Sequence, residues 1–126
     1  MTAVKVKTGE NYRLEVKEVK PIQKGDLVEI NGREWFDRIN GNSYHCVYIS
    51  INNQLVITCA FQYGYGDSYI QTASQALQNE GYYVNHDGNN MRMIDRYCRE
   101  NEIHCVCHIE RKCKNNQLPT RKDLGC

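Results

Sequence analysis

The chain has 126 residues, enough for one core but short for two large ones, with 40% hydrophobic and 25% charged residues, close to soluble globular averages. A net charge of +1 excludes both the strong positive field of a general nucleic-acid coater and the strong negative field of a DNA mimic. No apolar run is long enough to span a bilayer, and residues 1–20 alternate Lys with Val in place of a signal-peptide core, so the expectation is a cytoplasmic protein.

In chain order, residues 1–20 read as a β-hairpin. Val4 and Val6 alternate with Lys, Thr8 to Asn11 supply turn residues, and Tyr12, Leu14 and Val16 resume the alternation. Leu27 to Ile30 is a short strand followed by an Asn31-Gly32 turn, and Glu34 to Ile39 is a strand bearing Trp35 and Phe36. After a turn at Asn40-Gly41-Asn42, Val47, Ile49 and Ile51 share one face. Asn52-Asn53 forms a two-residue turn, because Asn tolerates positive φ. Leu55, Ile57, Cys59 and Phe61 then alternate on the returning strand.

The period changes next from strand to helix. Asp67 or Ser68 caps a helix, with Gln71 completing a capping box, and Tyr69, Ile70, Ala73, Ala76 and Leu77 form its buried stripe. Gly81 stops it. A second helix is expected from about Asn90 to Glu100, with Met91, Ile94, Tyr97 and Cys98 inward. A last strand follows, whose Ile103, Cys105, Cys107 and Ile109 share a face. The resulting expectation is an α+β domain: an antiparallel sheet of five or six strands with two helices on one face. Its parts are a hairpin at 1–20, a meander plus helix at 34–81, a helix plus strand at 90–111 and a loose basic tail at 112–126.

Seven cysteines, an odd number without a secretion signal, argue against a complete disulfide framework. Cys98, Cys105, Cys107 and Cys113, interleaved with His104 and His108, raise a zinc reading. Structural zinc favours thiolates two to four residues apart on a turn. A Cys-x-Cys pair on a strand points both sulfurs into one core face, where Cys packs as a small apolar residue. Core packing is therefore the expectation, with no metal and no cofactor.

Catalytic patterns are sparse: the chain has no Gly-x-Ser-x-Gly elbow, Walker loop or His-Glu-x-x-His helix. Glu15-Val16-Lys17 is similar to half of a metal-dependent nuclease site, but only Glu10 precedes it as a further acid. The alternation of Glu and Lys is that of a solvated strand face, and no enzymatic activity is expected.

His45, at the start of a strand, and Tyr63 and Tyr65, flanking Gly64, are the candidate partner-binding residues, with rings suited to anchoring a protein or stacking on a base. From Arg111 onward, Arg111, Lys112, Lys114, Arg121 and Lys122 stand against Asp123 alone. Arg111, Lys112, Arg121 and Lys122 are therefore the candidate nucleic-acid contacts.

Gly41 to His45, the alternating stretch Val47 to Phe61, Gly64 and Gly66, and the helix Ser68 through Ala73, Ala76 and Leu77 together resemble the second half of a double-stranded RNA-binding domain. That family grips phosphates with lysines at the start of this helix. Here Tyr69, Ile70 and Gln71 stand there, no Lys or Arg lies between Asp67 and Leu77, and the family's first helix is replaced by a hairpin pattern. The wider pattern, Trp35-Phe36, Phe61 to Gly66 and Gln71-Thr72-Ala73, is similar to small proteins of tailed bacteriophages. That resemblance implies an accessory protein in the host cytoplasm that engages a host protein or ribonucleoprotein, including nucleic-acid-guided (CRISPR-type) defence complexes. Direct binding of RNA or single-stranded nucleic acid is the alternative.

Overall fold

The structure, a computed structural model, describes residues 11–84 and 93–125. It is α+β: strands β1 (Tyr12–Leu14), β2 (Leu27–Asp37), β3 (Asn42–Ile51) and β4 (Gln54–Tyr63) precede helices α1 (Ser68–Asn79) and α2 (Ile94–Glu100), then β5 (His104–Glu110). The five strands form one sheet in the order β1-β4-β3-β2-β5.

Four strands are antiparallel to their neighbours, as expected, but β5 runs parallel to β2, so the sheet is mixed. The path explains the difference. The chain passes through both helices before returning, and Glu102 at φ 56° turns it sharply out of α2. His104 then enters beside Leu27, its N–H bonded to Asp26 O at 2.9 Å.

Leu27 to Asp37 is one strand, not two strands around an Asn31-Gly32 turn. Gly32 sits mid-strand between Val47 and Ile109. It leaves room for Tyr69, because a Cβ there would lie 2.8 Å from Tyr69 Cδ2. The glycine is thus a slot for an aromatic ring.

The Asn52-Asn53 turn is present, with φ 51° and 68°. Asn52 also ties the hairpin to β2, accepting from Leu27 N–H and donating to Asp26 Oδ1. At the N-terminal end, Tyr12–Leu14 pair with β4. The other arm of the expected hairpin lies outside the described residues.

Both helices pack on one face, Leu77 of α1 and Ile94 of α2 meeting Ile30, Ile49 and Ile57 of the sheet, all fully buried. The stripe of α1 is as expected, but neither Asp67 nor Ser68 makes a side-chain cap. Its C-terminus closes as a Schellman motif at Gly81 (φ 84°), with Gly81 N–H bonded to Gln78 O and Tyr82 N–H to Leu77 O. Helix α2 begins at Ile94. Ser74 Oγ, donating to Ile70 O, accepts the Ile94 N–H at 2.9 Å and so bridges the helices. Residues 90–92, where the sequence pattern starts this helix, lie outside the described residues.

Residues 112–125 are not loose. Phe61 N–H donates to Pro119 O and Cys113 N–H to Glu34 O, so the tail crosses the sheet face opposite the helices. Leu118 is buried there with Cys46 and Cys113, against Trp35, Tyr48 and Phe61. Three apolar side chains, Cys113, Leu118 and Leu124, are buried in an otherwise polar strap.

Candidate functional site

A register shift between His45 and Val47 decides which rings face which side. Without it Phe61 would share the helix-covered face with Ile57 and Cys59. The extra residue on β4 moves it to the strap-covered face, which is the usual effect of a bulge. There Phe61 stacks on Tyr44 at 4.7 Å, Tyr44 stacks on Trp35 at 5.6 Å, and Tyr63 meets Tyr44 edge-on at 5.9 Å. A run of four rings results, reaching from under the strap to the end of the sheet.

At that end the apolar surface is exposed. Tyr63 is 64% and Tyr65 71% accessible, and Phe36 and Ile39 at the end of β2 and in the following turn are exposed as well. The strand pairings Asp37↔Asn42 and Tyr44↔Tyr63 bring these segments to one end of the sheet, where Phe36, next to Trp35, points to the face opposite Tyr63. Phe36 and Ile39 were not singled out in the sequence, because a Phe on a strand reads as core until its place at the sheet's end is known.

His45 does not belong to this surface. It is 2% exposed, with Nδ1 3.2 Å from Gly64 O and Nε2 2.7 Å from Thr72 Oγ1. A carbonyl only accepts, so Nδ1 carries the proton and the Thr72 hydroxyl donates to Nε2. Burial holds the His45 pKa below the ordinary imidazole value, against the opposing pull of the Gly64 carbonyl and the Glu34 charge. The ring pins the β4–α1 turn to the helix. Gly64 makes room for it at φ 149°, since a Cβ would lie 2.8 Å from His45 Cε1 and 2.9 Å from Ser68 Cβ. His45 therefore positions the loop bearing Tyr65 and is removed from the contact residues.

The tail cations are divided. Arg111 Nη1 donates to Glu34 Oε2 at 2.8 Å. Lys112, at φ 64°, and Lys114, Arg121 and Lys122 are exposed. The strap runs from β2 at Glu34 across β3 to β4 at Phe61, about 10 Å by strand spacing. Arg111 and Lys112 thus enter on one side, and Arg121 and Lys122 leave on the other.

Cys105 and Cys107 share the helix-covered face, with sulfurs 3.9 Å apart. Their mutual hydrogen bond pulls the Cys105 pKa down, but its hydrogen bond with Cys98 and burial win and push it up to about 12. Cys107 is raised by its bond to Cys105 and by burial. Thiols held protonated are poor nucleophiles and poor ligands. Cys113 packs with Cys46 on the opposite face, so the four thiols of the zinc reading are split. Among the described residues no group of three or more His, Cys, Asp or Glu is placed to hold a metal ion.

Glu15 is likewise committed. It pairs with Arg13 through both oxygens and accepts from Thr58 Oγ1 at 2.9 Å. No helix among the described residues is long and apolar enough to cross a membrane.

The fold and this edge define an α+β protein with a five-stranded mixed sheet, helices on one face and an exposed aromatic rim. Compared with known proteins, the chain matches no family model, no curated protein and no solved structure.

Proposed function

We propose that this is a non-enzymatic binding protein that engages a protein partner through the rim formed by Tyr63 and Tyr65 with Phe36 and Ile39. One observation carries the reading: four of the seven exposed large apolar side chains among the described residues gather at one end of the sheet. Tyr is favoured at such surfaces, offering apolar area with few rotatable bonds and a polar tip. Tyr44 and the Gly64–His45 contact hold both tyrosines on well-braced backbone, so ordering them on binding costs little. The resemblance to tailed-phage proteins makes the partner a host protein or ribonucleoprotein in the host cytoplasm, with a nucleic-acid-guided defence complex among the candidates.

Direct nucleic-acid binding is less well supported. Arg111 is paired with Glu34, the other tail cations lie on two sides of the strap, and Trp35, Tyr44 and Phe61 stack on one another.

The test is a pull-down from bacterial lysate with the full chain at high salt. Retention of a discrete partner by wild type, lost with Tyr65→Ala in a folded protein, is the expected result. Capture unchanged by Tyr65→Ala would place the surface elsewhere. Capture that disappears with rising salt or with the Arg111, Lys112, Arg121 and Lys122 charges neutralised would favour the nucleic-acid reading.

A further inference from the structure

The two edges of the sheet are unlike. At one, β1 is three residues long; at the other, β5 is seven and pairs with β2 throughout, without a register break. Edge strands are ordinarily blunted by Pro, Lys, a bulge or great shortness, because their outward N–H and C=O groups recruit other strands. His104–Glu110 has none of these.

The bond from His104 N–H to Asp26 O fixes how β5 is turned. Backbone groups alternate sides along a strand, so those of His104, Val106, His108 and Glu110 point to β2. Those of Cys105, Cys107 and Ile109 point outward, and no backbone bond among the described residues takes them. Their side chains are left unfinished in the same way. Cys105 and Cys107 lie beside Val28 and Ile30 on the helix-covered face, where the β2 residues are wholly buried. Cys105, Cys107 and Ile109 nevertheless stay partly exposed.

This edge is complementary to itself. Laid antiparallel against a second copy about a two-fold axis at Cys107, the whole strand pairs. On the helix-covered face Cys107 meets Cys107 and Cys105 meets Ile109. On the other face the exposed Val106 meets His108, and exposed His104 meets exposed Glu110, whose carboxylate accepts from an imidazole N–H. A slip of one residue would set helix-covered side chains against solvent-facing ones. A slip of two shortens the overlap and sets His104 against His108, or Val106 against Glu110.

We propose that the β5 edge docks a second copy of this chain in this register, joining two sheets into one. Cys107 and the Cys105–Ile109 pairs exchange the backbone bonds, and the His104–Glu110 pairs select the register. Both copies' helices lie on one side of the joined sheet. The aromatic rims lie at its opposite ends and stay open, since β5 stops beside Arg33, short of Phe36. The inference is independent of what the rim binds.

Sedimentation velocity of the full chain in reducing buffer, from about 1 µM to about 500 µM, covers the weak range expected of a small interface and should show a monomer–dimer equilibrium. Amide hydrogen exchange on the same samples should slow with concentration at Cys105, Cys107 and Ile109. It should not change at Val106 and His108, which β2 already protects. His104→Glu, at an exposed position, sets like charges opposite each other twice per dimer and should weaken association about fivefold. Adding Glu110→Lys restores opposite charges and should recover it. A monomer at every concentration, a dimer without slowing at those three amides, no effect of His104→Glu, or no recovery with Glu110→Lys would each overturn the proposal. So would a chain that stays monomeric and gains protection there only with a different protein, which would give the edge to a foreign strand.

Discussion

On the helix-covered face, Ile30, Ile49 and Ile57 are sealed beneath two helices, against Leu77 of α1. On the other face a single strap presses Cys113 and Leu118 onto Cys46 and a row of partly open rings. The first face is a continuous aliphatic core; the second is a small apolar island whose rings run out to solvent at Tyr63. Stability therefore resides mainly on the first face, and the surface available to a partner at the end of the sheet where the rings of the second run out.

Truncation should separate the two faces most widely. Leu77→Ala removes a fully buried side chain from a region closed on every side, with an expected loss of about 2–5 kcal/mol in urea unfolding. Leu118→Ala opens a cavity next to solvent that its neighbours can partly fill, so about 1–2 kcal/mol is expected. Equal losses would mean that the strap is as integral to folding as the helices are.

Gly64 joins the faces, and Gly64→Ala tests the joint. The backbone disfavours a side chain at this φ, and the new methyl meets buried His45 and the first residue of α1. A loss of about 1–3 kcal/mol is expected, measured by thermal unfolding. Gly66→Ala, also at positive φ but with open space around its Cβ, should lose less and so isolate the steric part.

The helix-covered face was largely legible in the sequence. Val47, Ile49 and Ile51 alternate, Tyr69 to Leu77 follow the helical period, and Asn52-Asn53 announces its turn; each signal arises within a few residues. What was hidden depends on pairing across distance. The bulge that moves Phe61 to the other face appears only once β3 and β4 are in register. Gly32, next to Asn, has the composition of a turn, and only Tyr69 reveals it as a slot. Leu118 and Leu124, isolated in a polar tail, have no periodic partner to mark them as buried. The candidate site was half legible for the same reason: Tyr63 and Tyr65 flank a glycine and are exposed, whereas His45 looks identical in sequence whether it faces solvent or Thr72.

His45 gives a pH handle on the helix-covered face. Its folded pKa is depressed below the unfolded value near 6.5, so the unfolded chain binds the proton more readily. The neutral ring's contribution is fully present above about pH 6.5. It diminishes as pH falls from there toward the folded pKa, and levels off below it. Urea midpoints between pH 7.5 and 5 should fall for wild type and fall less for His45→Gln. An unchanged slope in the variant would assign the pH dependence to other groups.

The smallest expected effect on stability is at the rim, and there the contrast is sharpest. Tyr63 and Tyr65 are mostly exposed, and the strap island they adjoin is anchored by Leu118, Cys46 and Cys113 without them. Tyr63→Ala with Tyr65→Ala should therefore change the unfolding free energy by no more than about 0.5 kcal/mol, as surface substitutions usually do. Tyr63 adds one edge-on ring contact to Tyr44, which places it nearer that limit than Tyr65. If the pair is a binding anchor, the same double variant should lose partner capture while keeping the wild-type unfolding midpoint. A large loss of stability would show that the rim belongs to the island beneath the strap, and its exposure would then be the margin of a core.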